Sequence, residues 1–209
     1  MAVGDGTSGN WELFQFADAV LVAPDTYDLS LLLRGQAGTE EAGAAGWPVG
    51  STLVLMNGAP GQISLSMNER DLARHYRIGS ARLGYDDPSY VHLIEAFAGN
   101  GLRPYAPVHL RVRAGAGGDL DVTWTRRTRI GGDSWTGLDV PLSEAYEAYI
   151  VRVYDGGQMR REAVVSQPGW TYGAAQRAAD GVGQSFELQV AQLSDTFGPG
   201  VFARMIVNV

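Results

Sequence analysis

Cysteine and lysine are both absent from this chain of 209 residues, and histidine occurs only three times. Without cysteine, disulfides and thiolate metal sites are excluded. All 16 basic residues are therefore arginine. The histidines, His75, His92 and His109, lie far apart in the sequence and form no His-x-x-x-His pair. A metal site needs several converging ligands, so this pattern indicates no metal site.

Positive charge is also scarce, since the formal net charge is -7 and the pI is about 4.9. A nucleic-acid binder needs excess positive charge to displace counterions, so we expect no nucleic-acid partner. No apolar run approaches the roughly 20 residues that span a bilayer, so we expect no membrane span. The first ten residues, MAVGDGTSGN, lack the pattern of a secretory signal. They are typical of a loop or of the edge of a larger polypeptide.

Glycine, with 28 residues, divides the chain into short apolar or alternating runs. This pattern is typical of a β-rich protein. The strands expected in the first half are Trp11–Ala23, Tyr27–Arg34, Ser51–Met56, Gln62–Ser66 and His75–Ala81. In the second of these, Leu29, Leu31 and Leu33 are expected to share one face. Thr39–Ala45 is expected to form a short helical turn that Thr39 caps.

A boundary is expected at Gly99–Pro107, which is rich in glycine and proline. It predicts two β-rich domains, residues 1–100 and 101–209. In the second, VHLRVR and LDVTWT alternate apolar and polar residues around the turn GAGGD, which predicts a hairpin. Further strand patterns follow, interrupted by an alanine-rich helical segment, Tyr172–Asp180, that would cross between sheets. The pattern predicts an antiparallel sandwich of the fibronectin type III or immunoglobulin kind.

No catalytic motif emerges from the sequence. The carboxylate pairs Glu40–Glu41 and Asp86–Asp87 are adjacent, and neighbours in an extended chain point to opposite faces. We interpret Asp86-Asp87-Pro88 as a turn. Ser134 lacks the glycines of a nucleophile elbow, and the glycine-rich segments lack the lysine of a phosphate loop. We therefore expect neither an enzyme nor a cofactor.

The segment WTRRTRIGGDSW, from Trp124 to Trp135, combines arginine, glycine and tryptophan. On a strand, Arg126 and Thr128 would face one way and Arg127 and Arg129 the other. One interpretation is structural: arginine stems cover aromatic rings and pair with Asp133, Asp139 or Glu144. The other is a surface for a glycan or an anionic envelope polymer. The candidate surface residues are Arg126, Arg127, Arg129, Asp133, Trp135, Trp170 and Tyr172. The structural interpretation is favoured.

Several segments, in order, resemble the C-terminal region of the host-specificity (tip-attachment, baseplate hub) tail proteins of gene transfer agents and related siphophages. These segments are Trp11–Glu40, Leu102–Arg113, Thr123–Trp135, Pro141–Val153 and Val190–Gly200. The resemblance implies a structural and host-attachment component of a phage-like tail tip or baseplate, which would make the chain a virion component assembled in the bacterial cytoplasm. It also implies contacts with other tail proteins and a homotrimer, but it supplies no catalytic residues.

Two alternatives remain open. The chain could be a receptor-recognition module that binds a host capsule or envelope glycan through aromatic and arginine side chains. It could instead be a cell-wall glycan hydrolase, which would need two carboxylates that converge in a cleft.

Overall fold

The computed structural model describes residues 1–43, 45–132 and 139–209. The protein is mainly β, with several antiparallel sheets and short helices. The chain divides into two compact units, unit 1 (Met1–Gly101) and unit 2 (Leu102–Val209). In the described part of the chain, no helix is long and apolar enough to cross a membrane.

Unit 1 is built from short strands and one helical turn. Its elements are β1 (Ala2–Gly4), β2 (Trp11–Gln15), β3 (Asp18–Ala23), β4 (Thr26–Ser30), β5 (Leu33–Gln36), α1 (Glu40–Gly43), β6 (Thr52–Val54), β7 (Arg74–Ile78) and β8 (Val91–Glu95). A four-stranded antiparallel sheet has the order β5-β2-β1-β6. The pairs β3–β4 and β7–β8 form separate two-stranded sheets. Among the described residues of unit 1, the buried apolar side chains are those of Ala2, Val3 and Phe14.

Several expectations for the first half are wrong in detail. The expected loop at the N-terminus contains β1, because β1 pairs with β2 on one side and β6 on the other. Trp11–Ala23 is two strands rather than one. Tyr27–Arg34 is also divided, because Leu31 adopts a positive φ of 53° that ends the extended run. Gln62–Ser66 is not a strand, and β8 was not expected.

The helical turn near Thr39 forms, but the expected cap does not. α1 covers only Glu40–Gly43. The Thr39 hydroxyl accepts a hydrogen bond from the backbone N–H of Leu13 at 2.9 Å and donates one to the Gln36 carbonyl at 2.7 Å. The hydroxyl therefore joins α1 to β2 instead of capping the helix.

Unit 2 is a two-layer β-sandwich. Its elements are β9 (Val108–Ala114), β10 (Leu120–Thr125), β11 (Tyr149–Asp155), β12 (Gln158–Val165), β13 (Gly169–Tyr172), α2 (Ala174–Ala179), β14 (Ser185–Ser194), β15 (Gly198–Pro199) and β16 (Ala203–Asn208). One sheet has the order β13-β10-β9. The other places β12, β11, β14 and β16 side by side, with β15 also paired to β14. This is the strand arrangement of a fibronectin-III/immunoglobulin-like sandwich, as the sequence predicted.

The core of unit 2 lies between these sheets. The predicted alternation in β10 is confirmed: Leu120, Val122 and Trp124 are buried and the intervening residues are exposed. Trp124 packs edge-on against Tyr149 of the opposite sheet, with ring centroids 5.2 Å apart. Burial of each large apolar side chain contributes about 1.5–3 kcal/mol, so this layer stabilises the unit.

The helical segment predicted at Tyr172–Asp180 is present but shorter. Tyr172 belongs to β13, and α2 begins at Ala174. α2 follows a strand of one sheet and precedes β14 of the other, so it provides the expected crossing. The predicted hairpin between β9 and β10 also forms, with a short 3-10 turn at Ala116–Gly118.

Candidate functional site

The arginine segment lies just beyond the sheet. β10 ends at Thr125, so Arg126, Arg127 and Arg129 lie on the following loop. The expected alternation of these arginines between the two faces of a strand is therefore wrong. The partners of each side chain show how the loop is held.

Arg126 ties the loop to the segment that leads into β11. Its Nη1 donates to the Val140 carbonyl at 2.7 Å, and its Nη2 donates to the Asp139 carboxylate at 2.5 Å. The Glu147 carboxylate lies 3.7 Å from Nε of Arg126. It also accepts a hydrogen bond of 2.6 Å from the Tyr149 hydroxyl. Burial raises the pKa of Tyr149, and the bond to Glu147 raises it further, so the phenol stays protonated as a donor.

Arg129 and Arg127 make contacts of the same kind. Nη2 of Arg129 donates to the Glu144 carboxylate at 3.1 Å, and the guanidinium lies 5.2 Å from the centroid of the Phe197 ring. The guanidinium of Arg127 lies 5.0 Å from the centroid of the Tyr105 ring. Pairing with carboxylates and covering of rings are the features of the structural interpretation.

Trp170 and Tyr172 stack on each other, with ring centroids 4.8 Å apart. Tyr172 is only 1% exposed, so its position favours the core interpretation over a binding surface. Trp170 packs against the same core and remains partly exposed. Asp133 and Trp135, the remaining candidates, lie outside the described residues.

A carboxylate fixes the polar end of Tyr172. Asp180 accepts hydrogen bonds from the Tyr172 hydroxyl at 2.5 Å and from Nε and Nη2 of Arg161 at 2.6 and 2.8 Å. The hydrogen bonds from Arg161 hold the pKa of Asp180 below its ordinary value, although burial opposes them. Charge-assisted bonds of this bidentate kind therefore anchor the end of α2 to β12 and β13.

Unit 1 contains a buried carboxylate that the sequence analysis missed. Glu12 is 1% exposed. Its Oε1 accepts from Nε of Arg34 and from the backbone N–H of Gly35, each at 2.9 Å. Its Oε2 accepts a hydrogen bond from Nη2 of Arg34 and a second one, of 2.7 Å, from the indole N–H of Trp47. A Cβ on Gly43 would collide with this carboxylate, so the chain needs glycine there.

The hydrogen-bond donors around Glu12, from Arg34, Gly35 and Trp47, keep its carboxylate ionised. Burial, the largest single influence, raises the pKa of Glu12, but the hydrogen bonds from Arg34, Trp47 and Gly35 and the charge of Arg34 lower it overall. The period-2 pattern in WELFQ could have revealed this inward position, because Glu12 and Phe14 share one face of β2. The geometry is that of a structural cluster that joins β2, β5 and the Trp47 loop.

One hairpin of unit 1 exposes several large apolar side chains. All residues of β3 are exposed, and the large apolar side chains on and beside the β3–β4 hairpin face solvent. These residues, the hairpin apolar surface, are Val20, Leu21, Val22, Tyr27 and Leu31. Beside the sheet, an apolar cavity of about 220 Å³ is lined by Val3, Phe14, Leu32, Arg34, Trp47 and Leu53. A concentration of exposed apolar side chains on one hairpin is a candidate interaction site.

His75 and His92, distant in the sequence, meet on the β7–β8 hairpin. Nδ1 of His75 and Nε2 of His92 share a hydrogen bond of 2.9 Å. In the residues that the structure describes, no group of three or more His, Cys, Asp or Glu side chains is placed to hold a metal ion.

Asp87 takes part in a turn, as interpreted from the sequence. Its Oδ1 accepts hydrogen bonds from the Ser89 backbone N–H at 2.9 Å and from the Ser89 hydroxyl at 2.6 Å. These bonds lower the pKa of Asp87. An ionised carboxylate that caps a turn suits structure better than general-acid chemistry.

One part of the chain matches a known family. A family model described as "Rcc01698-like, C-terminal" matches residues 1–54, which is about a quarter of the chain and lies in unit 1. The four segments of the resemblance that begin at Leu102 or later lie outside this match. No curated protein matches the chain.

Among solved structures, the chain is similar to the rat CD45 extracellular region, domains d3-d4. The two share 12% identity over 77% of each chain, with a TM-score of 0.36. The assignment of unit 2 to a sandwich rests on its own strand order and not on this similarity.

Proposed function

We propose that this protein is a structural and host-attachment component of a phage-like tail tip or baseplate, of the gene transfer agent kind. In this role, unit 1 packs against other tail proteins and fixes the chain in the particle. The particle assembles in the bacterial cytoplasm, and copies of the chain surround a three-fold axis. The role is non-enzymatic.

The hairpin apolar surface is the observation that carries this proposal. A two-stranded hairpin is at best marginally stable in water unless its apolar face packs against something. Leu21, at the centre of β3, is 60% exposed and lies opposite Tyr27 in the register of the hairpin. Such a surface fits a partner protein better than it fits a soluble carbohydrate, because carbohydrate sites need polar groups.

Covering this hairpin would also stabilise unit 1. Burial of one exposed leucine or valine side chain contributes about 1.5–3 kcal/mol. The sheet of unit 1 buries few apolar side chains of its own, namely Ala2, Val3 and Phe14. A tail protein that covers the hairpin apolar surface would therefore add stabilisation comparable to that of the core of unit 1.

The family match supports the same assignment. Residues 1–54, which contain the hairpin, match a model described as a C-terminal region. The resemblance to the C-terminal region of tail-tip proteins includes Trp11–Glu40 in the same part of the chain. Two independent features, the exposed surface and the match, thus fall on the same residues.

A pair of matched variants tests this proposal. Leu21→Asp places a charge on the hairpin apolar surface, whereas Val164→Asp places one on β12 of unit 2, where Val164 is 64% exposed. Both sites are exposed, so both variants should fold. Tagged chains would be expressed in the bacterium that makes the particles, and purified particles would be assayed by quantitative mass spectrometry.

We expect Leu21→Asp to lower the amount of chain per particle at least about tenfold, the equivalent of about 1.4 kcal/mol. Val164→Asp should leave it unchanged. Equal incorporation of both variants, or the absence of the unaltered chain from particles, would overturn the proposal.

Glycan recognition is a second candidate, favoured by one observation. Tyr85, on the loop between β7 and β8, is 76% exposed and its ring centroid lies 6.4 Å from that of Tyr90. Exposed aromatic rings on loops stack on sugars. Saturable binding of the labelled protein to encapsulated cells, lost in an uncapsulated strain and in Tyr85→Ala, would support this function. No binding by the folded, assembled protein would reject it.

A further inference from the structure

Two unpaired strand edges border one groove in unit 2. Among the described residues, β9 pairs only with β10, and β16 pairs only with β14. Each strand therefore leaves one edge of backbone N–H and C=O groups without a strand partner. A groove of about 610 Å³ lies between them, lined by residues 110–114 of β9, by Leu120 and by residues 205–209 at the end of the chain. Such edges are templates for strand addition.

The floor of the groove is apolar. Leu110 and Val112 of β9 and Met205 of β16 pack against the sandwich core but remain partly exposed. Ile206 and Val209 are more exposed and also line the groove. Apolar side chains of an added strand would cover the parts of Leu110, Val112 and Met205 that are still exposed.

The other face of β9 is basic. Arg111 and Arg113 alternate with Leu110 and Val112, so they point away from the core, and both are exposed. Their backbones pair with β10, but neither side chain makes a hydrogen bond or an ion pair with any residue that the structure describes. In a chain of net charge -7, these two cations on one strand attract carboxylates, Arg111 more strongly because Asp121 lies opposite Arg113 in the β9–β10 register.

The usable edge has a defined length. His109 has a positive φ of 53°, and the β9–β10 register shifts at the same point. This irregularity is a β-bulge, which ends regular pairing. The regular part of β9 thus runs from Arg111 to Ala114, where β9 ends, and Leu110 lies at the edge of the bulge.

We propose that the β9–β16 groove binds an extended segment of another polypeptide in which apolar and acidic residues alternate. The segment adds a strand to the free edge of β9. Its apolar side chains enter the groove beside Leu110 and Val112, and its carboxylates lie on the outer face beside Arg111 and Arg113. The alternation follows from the period of two in strands, because cross-strand neighbours share a face. This binding concerns unit 2 and is independent of the proposed assembly role of unit 1.

Short peptides test this inference on the full-length chain. The probe is a fluorescein-labelled peptide of alternating valine and glutamate; one control replaces glutamate with lysine, and another has the same composition in blocks. Binding would be followed by fluorescence anisotropy, and backbone amide shifts of the isotope-labelled protein would locate it. We expect saturable binding of the alternating acidic peptide alone, with shifts at residues 110–114.

The arginines supply the matched variants. Arg111→Ser with Arg113→Ser should weaken binding at least about tenfold, since both charge pairs are lost. Arg160→Ser, at an exposed arginine of β12, should leave binding unchanged. Equal binding of the lysine peptide, shifts outside the groove, or no effect of the double variant would overturn the proposal. Self-association that the double variant abolishes, without peptide binding, would assign the groove to a second copy and would also overturn it.

Discussion

Trp47 donates its indole N–H to the buried carboxylate of Glu12 across 2.7 Å, although 35 residues separate the two in the chain. The bond joins a loop to a strand of the four-stranded sheet in unit 1. With Arg34 and Gly35 as further donors, it holds together the part of the chain that a family model matches.

We expect Glu12→Gln to destabilise unit 1 by about 1–3 kcal/mol, because a charge-assisted set of hydrogen bonds becomes partly unsatisfied in a buried position. Native-state hydrogen exchange of amides in β2 and β5 would measure the loss. Asp18→Asn, at an exposed carboxylate of β3, should change stability by less than about 0.5 kcal/mol. If Glu12→Gln is as stable as this control, the hydrogen bonds to Glu12 contribute little to the stability of unit 1.

The same carboxylate predicts a pH dependence. The folded-state pKa of Glu12 lies below the ordinary value of 4.5. Above 4.5 its contribution to stability is fully present, and it is lost as the pH falls through the folded-state value, because the unfolded chain binds the proton first. Exchange protection of the Gly35 amide should therefore decline on acidification, and more steeply than in Glu12→Gln. Parallel pH profiles would contradict the assignment.

In unit 2, Tyr172→Ala should lower the free energy of unfolding by about 3–5 kcal/mol, because it removes a fully buried aromatic ring. Tyr172→Phe should cost only about 0.5–1.5 kcal/mol, since it removes just the hydrogen bond to Asp180. Urea unfolding would measure both. If Tyr172→Ala is stable but fails to attach to cells, Tyr172 serves a binding surface after all.

Unit 1 and unit 2 should differ when expressed separately. Residues 102–209 contain both sheets of the sandwich and its core, so we expect cooperative unfolding. Residues 1–101 expose many apolar side chains, so we expect weak cooperativity and self-association. Circular dichroism with sedimentation would distinguish them. A cooperative, monomeric 1–101 fragment would show that unit 1 needs no partner.

The sequence predicted unit 2 better than unit 1 for a physical reason. In unit 2, alternation such as Leu120, Val122 and Trp124 reports directly which side chains face the other sheet. In unit 1, strands are short and largely exposed, so burial imposes little periodicity. Leu31 adopts a positive φ that divides an expected strand, and nothing in the surrounding run of leucines predicts this conformation.

Contacts between residues that are distant in the chain could not be predicted from the sequence either. His75 and His92 meet because β7 and β8 pair, and the second of these strands was not expected. The sequence pattern predicts the arginine segment on a strand, although β10 ends at Thr125. Of its expected partners, Asp139 contacts Arg126 and Glu144 contacts Arg129, whereas Asp133 lies outside the described residues.

The most direct test of the central claim is the position of the chain in the particle. An affinity tag at the C-terminus would be labelled with nanogold on purified phage-like particles and imaged by electron microscopy. We expect label at the tail tip, in clusters of about three, as a three-fold axis requires. Label distributed elsewhere, or particles without label although the tagged chain is expressed and folded, would contradict it.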